Sequence, residues 1–233
     1  MKKQLFLIPF AGGNCYSYRF LDNYLSADFE LIYLELPGRG KRMEEPLIKD
    51  GARAVQDYLH QIEERWNKGP FLIYGHSLGA ILGLKIALNL ELTGSYPEAL
   101  CVSGSAGPGV RPDKERYLMN KHDLKIELRH LGGVSDAVLE NQELYDLIYP
   151  MMQADFEILE KDPGYYTEGK LSNTSIIASM GDEEEGVGNI ANWQHYTEKD
   201  SYTIVLPGNH FFIQQIPEQI AKLIRNASKG DMP

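Results

Sequence analysis

Apolar residues fall along this chain in short unbroken runs, separated by stretches with helical spacing. The runs Gln4–Ile8, Leu31–Leu34, Phe71–Tyr74, Ala99–Ser103, Ser175–Met180 and Tyr202–Leu206 predict six strands. Most are continuous rather than alternating, which is the pattern of strands buried on both faces of a parallel sheet. Between them, Val55, Tyr58, Leu59, Ile62 and Trp66 mark one face of a helix. The segment Leu78–Leu90 is apolar almost all round, so it predicts a buried helix. Ile216–Ile224 predicts a last amphipathic helix with Pro217 in its first turn. Strand–helix alternation of this kind specifies a doubly wound α/β fold, with a mostly parallel central sheet flanked by helices.

The alternation lapses between about residues 110 and 170. There Leu124, Leu128 and Leu131, then Leu144, Leu147, Ile148, Met151 and Met152, recur at helical spacing with no strand between them. The stretch far exceeds an ordinary connection and predicts a helical lid over the C-terminal edge of the sheet, where such folds bind ligands. One domain over residues 1–233 is expected, its core at about 1–109 and 171–233 and its lid at about 110–170.

Composition removes several function classes. Against 23 Lys and Arg stand 33 Asp and Glu, a net charge of −10, which disfavours a nucleic-acid binder. No apolar run approaches the ~20 residues of a membrane span. The run at Leu5–Ile8 ends at Pro9, too short for the core of a signal peptide, and reads as a first strand. Cys15 and Cys101 are the only cysteines, with no zinc-like spacing, so a metal-free protein of a reducing cytoplasmic compartment is expected.

The sharpest chemical signal is Gly75-His76-Ser77-Leu78-Gly79, lying between a predicted strand and a predicted helix. A serine on such a turn is lifted to the top of the sheet at the positive end of a helix, and flanking glycines relieve the crowding. A nucleophilic serine needs a base. His60 reads as solvent-facing, His122 and His130 belong to the lid, His195 sits in a polar segment, and His76 is best read as structural. His210 follows the last strand, where the chain order of α/β-hydrolases places the base. The acid belongs after the penultimate strand, where Asp182, Glu183, Glu184 and Glu185 offer four carboxylates. An oxyanion hole can come from the amides of Ala11, in the turn Pro9-Phe10-Ala11-Gly12-Gly13, and of Leu78, after the serine.

These motifs resemble those of type II (editing) thioesterases, which accompany nonribosomal peptide and polyketide synthases. Besides the segments already quoted, the resemblance rests on Leu36-Pro37-Gly38-Arg39-Gly40 with Arg42, Glu45 and Pro46, and on Leu131-Gly132-Gly133. It rests further on Pro150 to Asp155-Phe156 and on Pro207-Gly208-Asn209-His210-Phe211-Phe212. It implies an α/β-hydrolase that removes acyl or aminoacyl groups from the phosphopantetheine arm of acyl or peptidyl carrier proteins. The mechanism implied is a Ser77 acyl-enzyme with His210 as base. Glu184 stands where the family carries its aspartate, with Asp182 as the alternative acid. The pantetheine belongs to the partner, so no cofactor is expected, and a monomer is expected. Lys2, Lys3, Arg39, Lys41, Arg42, Arg111, Lys114, Arg116, Lys121, Lys125 and Arg129 are candidates for a basic face toward an acidic carrier. The competing readings are acyl transfer to an amine or alcohol and, more remotely, a hydrolase-fold binding protein without catalysis.

Overall fold

A computed structural model of the chain describes residues 2–110, 114–161 and 169–231. Strands β1 (Lys3–Ile8), β2 (Phe29–Tyr33), β3 (Phe71–His76), β4 (Ala99–Ser103), β5 (Ser175–Gly181) and β6 (Ser201–Leu206) form one sheet. Their order is β2-β1-β3-β4-β5-β6 and each pairing is parallel. The six match the predicted runs closely. The outermost strands β2 and β6 are only half-buried, against the continuous burial predicted, because each has a neighbour on one side alone.

Helices α1 (Asp22–Leu25), α2 (Gly51–Arg65) and α3 (Leu78–Leu92) are followed, after β4, by α4 (Lys121–Leu131), α5 (Asp136–Glu140) and α6 (Gln142–Lys161). After β6 come α7 (Phe212–Gln215) and α8 (Pro217–Lys229). Local chemistry fixes several ends. The Asp50 side chain accepts the Arg53 N–H at the start of α2, Pro217 opens α8, and left-handed Gly230 closes it. Strand alternation sorts the core into two layers. Phe6, Ile8, Leu100, Val102, Ile176 and Ala178 pack with α2 and α3. Leu5, Leu7, Leu72, Tyr74, Cys101 and Ile177 pack with α1, α7 and α8.

The predicted insertion contains α4, α5 and α6, which share an apolar cluster of their own around Leu124, Leu128, Leu139, Tyr145, Met152 and Phe156. The spacing in α6 is helical as predicted, but the buried stripe is Tyr145, Met152 and Phe156, while Leu144 and Leu147 face outward. Those two leucines lie one position off a stripe that the aromatic residues define. Residues 111–113, with Arg111, and 162–168 lie outside the described residues. Among the described residues, no helix is long and apolar enough to cross a membrane.

Cys15 and Cys101 are buried free thiols. Burial pushes the Cys101 thiol up to about 12, and burial with the neighbouring Glu35 raises that of Cys15. The folded protein is therefore expected to be inert to a thiol reagent such as Ellman's at pH 8 and to release both thiols in denaturant. Fast labelling of the native protein would contradict this packing.

Candidate active site

The sheet order reverses between β1 and β3, and the loops leaving the C-terminal ends of those two strands lie side by side, the crevice position for ligands in open α/β sheets. β3 ends at His76 and α3 begins at Leu78, so Ser77 alone makes the turn, at φ 55° and ψ −114°. That conformation is strained for a non-glycine residue. Two glycines permit it. A Cβ at Gly75 would meet the Gly79 carbonyl oxygen at 2.1 Å, and one at Gly79 would meet the Ile8 carbonyl oxygen at 2.2 Å. The Ser77 N–H donates to the Ser103 carbonyl at 2.8 Å, tying the elbow to β4. Leu78 is the first residue of α3, so its N–H has no acceptor within the helix. Across the crevice, Ala11 sits in a turn closed by the Gly13 N–H donating to the Phe10 carbonyl at 2.8 Å.

The loop after β6 brings the His210 Nε2 to 3.1 Å from the Ser77 Oγ. Its Nδ1 lies 2.5 Å from the Glu184 Oε2. Glu184 is buried, and its other oxygen accepts the Gly181 N–H at 2.7 Å. The loop turns back on itself here, with the Glu184 N–H donating to the Gly181 carbonyl, which places the third residue after the glycine over the strand end. Asp182 is aimed elsewhere. Its Oδ1 accepts the Gly208 N–H at 2.8 Å and so clips the β5 loop to the β6 loop. Glu183 and Glu185 are exposed. Ser77, His210 and Glu184 thus form one hydrogen-bonded line, and Asp182 stands outside it.

His76 is fully buried beneath this line, its Nδ1 2.9 Å from the Ser103 Oγ, which in turn lies 2.9 Å from the Tyr74 hydroxyl. Its ring centre is 4.9 Å from that of His210. Burial, and then the nearby His210, hold the His76 pKa well below the ordinary imidazole value. His60, His122, His130 and His195 are exposed, though His130 reaches the rim of the cavity described next.

Ser77 and His210 open into a cavity of about 910 Å³. Ile81, Leu128, Met151, Met152, Phe156 and Met180 contribute apolar wall. Polarity that the sequence did not disclose enters on the lid side. There the Arg116 Nε lies 2.7 Å from the Glu160 Oε1, and the Lys114 Nζ 3.0 Å from the Glu127 Oε1. Arg39, expected on a basic face, is instead buried, its guanidinium paired with both oxygens of Asp155 at 2.6 and 2.8 Å. Burial acts to lower the Arg39 pKa, and Asp155 more than offsets it. Its signal in the sequence was an acidic residue beside Met152 and Phe156 on the buried stripe of α6.

The expected basic face is largely neutralised within the chain. Lys121 pairs with Asp146 at 2.5 Å, Lys125 with Glu140 at 3.7 Å and Arg129 with Asp136 at 3.0 Å. Arg42 pairs with Glu45 and Asp57, and Lys3 with Glu98. With acids in excess, the cations of α4 find them on α5 and α6, and Arg42 and Lys3 find them in loops and on α2. Among the described residues, no group of three or more His, Cys, Asp and Glu is placed to hold a metal ion.

A family model described as the thioesterase domain matches residues 3–229. Thioesterase PikA5 of Streptomyces venezuelae is 27% identical over 212 residues, 90% of this chain and 75% of its own. The gramicidin S biosynthesis protein GrsT of Aneurinibacillus migulanus is 28% identical, over 92% of this chain and 84% of its own. Among solved structures, the type II thioesterase BorB from the borrelidin biosynthetic cluster is 26% identical with a TM-score of 0.87. That match covers 97% of this chain and 93% of BorB.

The buried His76 generates a pH prediction. An unfolded chain binds a proton on this side chain below about pH 6.5, whereas the folded chain refuses it until lower pH. The contribution of neutral His76 is therefore complete above about pH 6.5 and erodes as pH falls, by about 1.4 kcal/mol per pH unit until the folded group itself protonates. Denaturant melts at pH 7 and pH 5 should show a smaller acid loss in His76→Gln than in the wild type. Equal losses would mean the imidazole is charged in the fold.

Proposed function

This chain belongs to the thioesterase domain family, and we propose that it hydrolyses acyl thioesters carried on the phosphopantetheine arm of carrier proteins, through an acyl-enzyme on Ser77. The observation that carries the reading is the unbroken line Glu184–His210–Ser77 at the mouth of a cavity large enough for an acyl chain. The carrier as partner is supported by relatives such as GrsT, named for gramicidin S biosynthesis, and BorB, from a biosynthetic cluster.

In this mechanism His210 Nε2 takes the Ser77 proton as Oγ attacks the thioester carbonyl. Glu184 accepts the Nδ1–H, fixes the tautomer and balances the imidazolium that forms. The amides of Ala11 and Leu78 receive the oxyanion, helped by the positive end of α3. Collapse expels the pantetheine thiolate, which takes the proton from His210. A water activated by the same imidazole then releases the acid and restores the Ser77 hydroxyl. Arg116 is buried against Glu160, and the lysines of α4 are already paired with acids of the same chain, so a carrier would have to compete with those acids.

The direct test is mass spectrometry of acyl-loaded carrier proteins incubated with enzyme, with and without amine acceptors. Loss of the acyl mass with free acid as product supports hydrolysis, whereas acyl amide as the main product would replace it by transfer. Ser77→Ala and His210→Ala should each abolish turnover with little change in Tm, and a phosphonate probe should add mass at Ser77 alone.

Glu184→Gln should lower kcat by up to ~10⁴-fold, as when a triad carboxylate becomes an amide. Asp182→Asn should leave kcat within about threefold, since its contact is with a backbone N–H outside the reacting line. The opposite ranking of these two variants would transfer the role of acid to Asp182.

A further inference from the structure

The Arg39–Asp155 pair joins two distant parts of the chain, the loop after β2 and the lid helix α6, and both side chains are out of solvent. Burying two charges is costly, so an arrangement of this kind calls for a reason beyond stability. The reason is visible in a third bond. The Gly12 N–H donates to the Asp155 Oδ2 at 2.7 Å. Gly12 belongs to the same turn as Ala11, and it is pressed directly beneath α6. Its φ is +76°, and a Cβ there would meet the Met152 sulfur at 2.3 Å. The Arg39 Nη1 also donates to the Gly13 carbonyl at 3.4 Å.

We propose that Asp155, neutralised by Arg39, is a positioning residue that sets the oxyanion loop, so that α6 completes the catalytic frame rather than merely covering it. The inference rests on the serine thioesterase reading above. Its logic is one of allotting donors. With the Gly13 N–H bound to the Phe10 carbonyl and the Gly12 N–H bound to Asp155, two of the three consecutive amides in the turn are committed to protein acceptors. The Ala11 amide is the one left to face Ser77. The Phe10–Ala11 peptide, which carries that amide, is held through its carbonyl by the Gly13 N–H, and Asp155 holds the adjoining Ala11–Gly12 peptide. Both planes that meet at Ala11 are thereby fixed before substrate arrives, which is the preorganisation such a hole needs. A lone carboxylate so near a developing oxyanion would oppose it. The bidentate guanidinium cancels that field while leaving the acceptor in place.

Two double variants separate positioning from simple packing. Arg39→Gln with Asp155→Asn removes both charges but keeps a carbonyl oxygen for the Gly12 N–H. Arg39→Met with Asp155→Leu removes both charges and the acceptor. Neither leaves a buried charge unpaired, so both are expected to fold. The amide pair should keep kcat within about tenfold of wild type. The apolar pair should lose ~10²-fold or more in kcat, the scale of one misplaced oxyanion donor, with KM for a small thioester nearly unchanged. Affinity for an alkyl boronate, which forms a tetrahedral Ser adduct, should fall in parallel with kcat.

Equal kcat in the two folded double variants, or a fall in kcat without loss of boronate affinity, would overturn the proposal. Should the apolar pair not fold, hydrogen exchange at the wild-type Gly12 amide decides. Protection comparable to β1 supports the bond, and exchange as fast as an open loop refutes it. Phosphonate labelling of wild-type Ser77, run alongside, reports on the serine mechanism separately. Absence of that label sinks the underlying reading, whereas label with equal variants sinks only this one.

Discussion

A helix that begins where a strand ends leaves no room for side chains between the two, and the site depends on that constraint. β3 and α3 meet at Ser77, and the contact survives only because positions 75 and 79 carry no Cβ. Three features follow together. The hydroxyl is held above the sheet, the free amides of the first helical turn lie beside it, and α3 is drawn so close to β1 that Gly79 touches the Ile8 carbonyl. The strain at Ser77, ~1–3 kcal/mol for such a backbone, is small beside the burial of a helix whose first seven residues are all buried.

Much of this was legible from residue order. Strand runs were unbroken because the interior strands are covered on both faces, and α3 was readable because it is apolar almost all round. Ser77 and His210 were found by their place at strand ends. Residue order left four carboxylates open after Gly181, and the family resemblance pointed to Glu184, whose position over the strand comes from the turn at residues 181–184. What the pattern could not carry were pairings between distant segments. Arg39 and Asp155 are 116 positions apart, and nothing local marks an arginine beside a glycine as buried. The same holds for the cations of α4, whose partners lie on other helices. In α6 Ile148 and Met152 pack inward as the spacing predicts, whereas Leu144 and Leu147 face out because Tyr145 and Phe156 take the interior.

The cavity combines two kinds of wall. Sulfur and aliphatic side chains around Met151, Met152 and Met180 can adapt to chains of different shape, because methionine is unbranched and polarizable. Ion pairs between Arg116 and Glu160 and between Lys114 and Glu127 are directional and do not yield in the same way. The chamber therefore mixes compliant and stiff side chains, and α6 supplies both. Both ion pairs belong to the segment following β4.

The clip between the β5 and β6 loops has a mechanical meaning. Asp182 holds the Gly208 N–H, the Glu183 N–H holds the Gly208 carbonyl, and a Cβ at Gly181 would strike that same carbonyl at 2.2 Å. Glu184 and His210 are thus carried on two loops fastened to each other at Gly208, through both its N–H and its carbonyl. They form one bracket, in which both ends of the Glu184–His210 bond are anchored to the same pair of fastened loops. The longer contact, from His210 to Ser77, joins this bracket to an elbow that is tied elsewhere, to β4 through the Ser103 carbonyl.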